Sequence, residues 1–242
     1  MRFPMRTEFR SQALEKDFFV AANRNYLSPA DIPPVIPVFP LTGALLLPRA
    51  ELPLNIFEPR YLAMVDDALG GARLIGMIQP DEAAPAGASG PAVHKVGCVG
   101  RLTQFGETGD GRYLITLSGI CRFRVIEEMP VTTPYRQFRI DTGTFAEDFD
   151  VSAGEAEVDR EAVLAALAAF LDANKLEADW DGIRQAGTET LVNALSVMSP
   201  YGALEKQALL EAENLKARAD MLVAITQMML ARMPGDGEGS LQ

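Results

Sequence analysis

Residues 36–61 read IPVFPLTGALLLPRAELPLNIFEPRY, four short apolar runs set between prolines at Pro37, Pro40, Pro48, Pro53 and Pro59. Proline fixes φ and has no backbone donor, so it does not sit inside a fully paired sheet. Runs this apolar therefore predict edge strands, or strands that bend at the seams of a small barrel. The stretch ends in a strand-to-helix switch. Leu52, Leu54 and Ile56 alternate at strand period, and Glu58 precedes Pro59 at the first helical position. Tyr61, Leu62, Val65, Ala68 and Leu69 then recur at helical spacing until Gly70-Gly71.

Further along, Leu74–Met77 reads as a strand, followed by a pattern-free loop at Gln79–Ala92 built mostly of Ala, Gly and Pro. A connection this long is expected to be disordered or a functional lid. Val96–Phe105 and Tyr113–Val125 read as two long strands joined through GETGDG, with Asp110-Gly111 as the turn and Gly119 as a candidate bulge. Tyr113, Ile115 and Leu117 alternate, and Cys121, Phe123 and Val125 continue the alternation. Tyr135–Phe145 predicts a last strand carrying Phe138 and Ile140.

From about residue 151 the apolar period becomes helical. Val163, Leu164, Leu167, Phe170 and Leu171 share one face, and Ile183, Leu191, Leu195 and Met198 predict a second helix. Ser199-Pro200-Tyr201-Gly202 interrupts, Leu204–Leu210 is short and helical, and Leu215, Leu222 and Met229 recur at spacing seven in the last helix. Met221, Met228, Met229 and Met233 there read as core rather than as a binding face.

Three blocks carry a family resemblance: PVFPLTGALLLPRAELPLNIFEPRYLAMV with IGMIQP after it, the strands holding the DGR turn and GICRFRV, and LVNALSVMSPYGALEKQALLEAENLKARADML. Together they resemble the N-terminal substrate-binding domain of the Lon ATP-dependent proteases, most of all its small stand-alone bacterial members, over about residues 35–232. The resemblance implies an α+β fold, a PUA-like twisted β-barrel or pseudobarrel followed by a C-terminal helical bundle. The expected organisation is an N-terminal arm at 1–34, the β-rich domain at 35–150, a helical domain at 151–233 and a polar tail at 234–242. The arm carries Phe9, Ala13, Leu14 and Phe18 as one face of a possible short helix. One departure stands out. The family usually has Pro-Gly where this chain has Pro48-Arg49, so the turn there is expected to be shaped differently, because glycine offers a left-handed turn without steric conflict.

The search for chemistry returns little. There is no G-x-x-x-x-G-K-[ST] loop for an ATPase, no room for a peptidase after the helices, and no G-x-S-x-G elbow. Cys98 and Cys121 are too few for a disulfide framework or a cysteine zinc site. His94 is the one histidine, and in an extended chain it stands ~13 Å from Cys98 at ~3.3 Å per residue, beyond hydrogen-bond reach. Neither cofactor nor metal is expected, and the chain reads as non-catalytic.

Net charge is −11, with 15 acidic against 7 basic side chains in residues 151–242. Such a surface repels phosphate backbones, which argues against nucleic acid as a general partner. No apolar run reaches the ~18 residues of a membrane helix and no signal peptide is visible, so the expected setting is the cytoplasm without membrane contact. What remains is a binding surface. Candidates are Phe57, Glu58, Arg60 and Tyr61 at the strand-to-helix switch, with Phe57 and Tyr61 as core and Glu58–Arg60 as a turn fastener the competing reading. Arg122 and Arg124 share a strand face opposite Cys121, Phe123 and Val125. With Arg101, Arg136 and Arg139 they could form a small anion-docking strip. The resemblance implies that the partner is an unfolded or extended polypeptide segment or another protein, held by exposed apolar patches and unpaired strand edges. Two alternatives stay open: an RNA-binding PUA-like protein, and a small-molecule enzyme with an unrecognised pocket.

Overall fold

The structure, a computed structural model, describes residues 24–87 and 90–232. The helix expected around Phe9 to Phe18 and the polar tail at 234–242 lie outside the described residues. Six strands, β1 (Val35–Pro40), β2 (Glu51–Ile56), β3 (Leu74–Ile78), β4 (Val96–Glu107), β5 (Tyr113–Glu128) and β6 (Gln137–Asp141), form one sheet in the order β2-β5-β4-β3-β1-β6. β6 also pairs with β5, so five strands close into a small barrel and β2 extends it as a flap. Only β1 and β3 run parallel; the other neighbours are antiparallel.

The prolines make sense in this closure. The first half of β1, Val35–Pro37, pairs with β6, and the second half, Val38–Pro40, pairs with β3. Each half thus needs a ladder on one side only, and Pro37 and Pro40 sit where the other side is unpaired. Pro53 lies in β2, whose single partner among the described residues is β5.

The barrel interior is narrow. It holds Ile36, Val38, Leu74, Ile78, Val99, Cys121, Phe123, Phe138 and Ile140. Phe123 fills it against two glycines: a Cβ on Gly97 would lie 2.4 Å from the ring and 2.6 Å from the Met77 carbonyl oxygen. The outer face carries the second, larger apolar cluster. There Leu46, Leu47, Ile75, Cys98, Leu102, Ile115 and Leu117 meet α1 (Pro59–Gly70) and the helical part.

β5 contributes to both clusters because of a bulge. Val99 pairs with Cys121 and Gly100 with Gly119, which leaves Ile120 as the extra residue. One inserted residue moves everything after it to the opposite face. Ile115 and Leu117 therefore face outward to the helices, whereas Cys121 and Phe123 face the barrel interior. The bulge expected at Gly119 is present, with Ile120 as its extra residue, and the alternation that resumes at Cys121 does so on the other side of the sheet. Gly119 itself is a crossing point: a Cβ would stand 2.0 Å from the Leu47 carbonyl oxygen, where the β1–β2 connection passes over β5.

The final strand is shorter than the expected Tyr135–Phe145. It stops at Asp141, whose side chain accepts from the Gly143 and Thr144 amides and turns the chain into a 3₁₀ segment, Gly143–Phe149. The Gln79–Ala92 loop is held at its base rather than loose. The Gln79 side chain accepts from the Gly43 amide and donates to the Ala203 carbonyl, and Pro80 bridges to Val93.

The helical part comprises α2 (Arg160–Ala173), α3 (Trp180–Gln185), α4 (Thr188–Met198), α5 (Ala203–Glu211) and α6 (Leu215–Arg232). Ile183 and Leu191 fall in separate helices, because Ala186 is extended and Gly187 opens α4. Val163, Leu191, Val192, Leu209 and Leu222 belong to the same apolar cluster as the outer face of the sheet, so sheet and helices share a core.

Candidate functional site

Two arginines fasten the helices to the barrel. Arg49 has φ +63°, so the turn keeps the left-handed conformation although the residue is not glycine. The turn expected to be reshaped instead has a side chain with a task. Arg49 Nε donates to Glu189 Oε2 on α4 at 2.9 Å, Nη2 donates to Glu189 Oε1, and Nη1 donates to the Asp148 carbonyl at 2.6 Å. Arg122 is the second fastener. It is 4 % exposed, its Nε and Nη2 donate to the Asp148 carboxylate, and Nη1 donates to the Leu210 and Ala212 carbonyls.

This placement removes Arg122 from the expected docking strip. The Ile120 bulge turns it toward the helices, where its guanidinium also lies 4.5 Å from the Phe145 ring. The other members are engaged too. Arg136 forks onto Glu128 at 2.8 Å, Arg139 pairs with Glu127 at 2.8 Å across the β5–β6 ladder, and Arg101 donates to the Arg24 carbonyl. Arg124 is exposed beside Phe145. No run of open guanidiniums faces solvent here, so the described residues do not present the expected anion-docking strip.

At the strand-to-helix switch the four candidates separate. Tyr61 is buried with its ring centroid 4.1 Å from that of Phe39. Glu58 and Arg60 form an exposed ion pair at 2.7 Å, and Arg60 covers the Tyr61 ring at 4.6 Å. Phe57 is the one apolar candidate of the four that projects outward, 61 % exposed. Near it, Leu114 is exposed on the flap formed by β2 with the ends of β4 and β5. The free edge of β2 is a poor acceptor of another strand, because Pro53 in its middle has no donor to offer.

The cysteines are buried on opposite faces of the sheet, Cys98 in the outer cluster and Cys121 inside the barrel. Burial pushes both thiols up, away from the reactive thiolate. Among the described residues no cluster of His, Cys, Asp and Glu is placed to hold a metal ion, and no helix is long and apolar enough to cross a membrane.

The feature least visible in the sequence is a groove in the helical part. Leu167, Phe170 and Leu171 of α2, Leu195 and Met198 of α4, and Leu222 of α6 line a cavity of about 320 Å³. Three of its polar side chains are hydrogen-bonded within the wall. Thr226 donates to the Leu222 carbonyl at 2.7 Å, its hydroxyl lies 2.6 Å from that of Tyr201, and Asn174 donates to the Phe170 carbonyl. At the rim Met198 is 80 % exposed, with Leu176 beside it also exposed. A wall of this kind offers apolar contact without directional hydrogen bonds, and a flexible thioether adapts to varied shapes. The helical periodicity identified these residues as core; which of them lack a covering partner depends on helix ends and crossing, which periodicity does not encode.

These features define a PUA-like barrel joined to a helical bundle. A family model for the ATP-dependent protease La (LON) substrate-binding domain matches residues 35–227, and the chain belongs to that family. It is similar to Lon protease 2 of Myxococcus xanthus, 28 % identical over 201 residues, covering 81 % of this chain and 24 % of the relative. Lon protease 2 of Sorangium cellulosum is 29 % identical over 203 residues, 81 % of this chain and 25 % of that protein. The chain thus spans about a quarter of the length of these curated relatives. Among solved structures, the Lon N-terminal domain protein from Xanthomonas campestris superposes with a TM-score of 0.55 at 23 % identity, over 83 % of this chain and 99 % of the other. The N-terminal domain of Mycobacterium avium complex Lon protease gives 0.58 at 18 %, over 80 % and 98 %. Both likenesses establish the fold.

Proposed function

We propose that this chain is a recognition module that holds apolar segments of unfolded or extended polypeptides in the α2–α4–α6 groove, without transforming them. The observation that carries the reading is the groove itself, an open apolar concavity with polar side chains hydrogen-bonded within its wall and an exposed methionine at its rim. Membership in a substrate-binding family supports the same reading. Exposed concave apolar surface marks a binding site more often than an accident of packing. A client would bind by side-chain burial, at about 25 cal/mol per Å² of apolar surface removed from water, offset in part by the ordering of the client chain. Recognition of this kind is broad, because no buried polar group on the wall enforces a particular partner.

The β2 flap with Phe57 and Leu114 is a second exposed apolar area, and Pro53 restricts it to side-chain contact. The test uses a fluorescently labelled unstructured peptide rich in Leu and Phe, titrated with the chain and followed by anisotropy. Saturable binding is expected, with Met198→Glu weakening it about tenfold, the equivalent of ~1.4 kcal/mol. Equal affinity for both proteins would remove the groove from the account, and absence of binding would remove the function.

A further inference from the structure

Between the barrel and the helical part lies a second cavity, of about 340 Å³ and polar in character. Arg49, Arg122, Asp148, Glu189, Asn214 and Arg218 contribute to its walls. Two of the three guanidiniums have their own carboxylate, Arg49 with Glu189 and Arg122 with Asp148. Among the described residues, Arg218 on α6 has no carboxylate of its own and its Nη2 has no acceptor. It is 3 % exposed, and donates from Nε to the Leu209 carbonyl at 3.0 Å and from Nη1 to Asn193 Oδ1 at 3.1 Å. The deep wall therefore carries one positive charge in excess and one unmet donor.

An uncompensated cation out of water is a costly arrangement, because the protein interior screens charge far less than solvent does. Burial pulls the Arg218 guanidinium down to about 10, and repulsion from Arg122 acts in the same direction. The mouth of the cavity has the opposite sign, with Glu147, Asp150 and Glu157 all exposed. Exposed charges are weakened by water and salt, so they do not cancel the buried excess. They do penalise a ligand with more than one negative charge.

We propose that this cavity binds a small carboxylate, whose single charge balances Arg218 and whose oxygen accepts from Nη2. A singly charged planar oxyanion suits a guanidinium fork and meets less repulsion at the mouth than a phosphate dianion. This cavity is separate from the apolar groove, with which it shares no lining residue.

The test compares sodium acetate, inorganic phosphate and sodium chloride at equal ionic strength and pH 7. Melting temperature and isothermal titration calorimetry are read on the full chain. Acetate is expected to raise the melting temperature saturably above the chloride control, with phosphate weaker. Arg218→Met is expected to abolish the acetate response. Glu157→Gln, an exposed change that leaves the fold alone, is expected to tighten acetate binding about threefold, within the range of a single exposed charge interaction. That variant carries the test if Arg218→Met does not fold. Three results would overturn the proposal: acetate acting no differently from chloride, phosphate binding more tightly than acetate, or Glu157→Gln leaving acetate affinity unchanged.

Discussion

Replacing Arg49 separates two opposed effects at one residue. The left-handed backbone at φ +63° costs a non-glycine residue about 1–2 kcal/mol. Against that stands the fork onto Glu189, whose side chain is 11 % exposed, and the hydrogen bond to the Asp148 carbonyl. Breaking a buried pair costs about 3–5 kcal/mol. The Arg49 side chain is 33 % exposed, so water can enter when it is removed, which reduces the loss to about 2–3 kcal/mol. Arg49→Gly loses the fork but relieves the backbone strain, for a net destabilisation of about 1 kcal/mol. Arg49→Ala loses the fork and keeps the strain, so it is expected to fall about 1 kcal/mol below the glycine variant. Urea unfolding followed by circular dichroism measures both, provided the slopes stay equal. A glycine variant at least as stable as the parent would mean that the arginine does not fasten α4 to the barrel. An alanine variant equal to the glycine variant would mean that the turn is not left-handed.

Three further predictions concern the frame around the site. Gly119→Ala drives a Cβ to 2.0 Å from the Leu47 carbonyl oxygen, a backbone contact that cannot yield cheaply. A loss above about 3 kcal/mol, or failure to accumulate as folded protein, is expected by urea unfolding and expression yield. Cys98 and Cys121 should react with iodoacetamide at pH 8 only at the rate of global unfolding, read by mass spectrometry; labelling at the rate of a free thiol would contradict their burial. The Tyr135 hydroxyl lies 2.6 Å from Asp67 Oδ2, and burial followed by that carboxylate raises its pKa well above the ordinary tyrosine value. The folded state then holds the proton more tightly than the unfolded chain. Its contribution is fully present below about pH 10 and is lost as pH rises beyond that, so Tyr135→Phe should flatten the alkaline limb of the stability profile.

Much of the fold is legible in residue order. The prolines at 37 and 40 announce a strand that cannot be paired on both sides along its length, and β1 divides its pairing between β6 and β3. Glu58-Pro59 marks the start of α1, and the spacing of Leu215 and Leu222 marks α6. What period alone misses is the change of face in β5. Gly119 marks the place of a bulge, but the sequence does not say that Ile120 adds a single residue to the ladder and so reverses the faces. That insertion turns Arg122 from a surface cation into a buried fastener, so the docking strip read from the arginines dissolves. Arg49 hides a similar dependence. A non-glycine residue in a left-handed turn looks like a departure until Glu189, 140 residues away, supplies the compensating contact. The same limit applies to the groove, since Met198 reads as one more apolar residue of α4 until its exposure is known.

Methionine methyl groups report most directly on whether the groove holds apolar peptide, because the chain has them both in the groove and in the core. With ¹³C-methyl-labelled methionine, an added apolar peptide is expected to shift the Met198 methyl signal saturably. The signal of Met64, fully buried under the sheet, should stay in place. A Met198 signal unmoved at peptide concentrations that saturate binding would contradict the account.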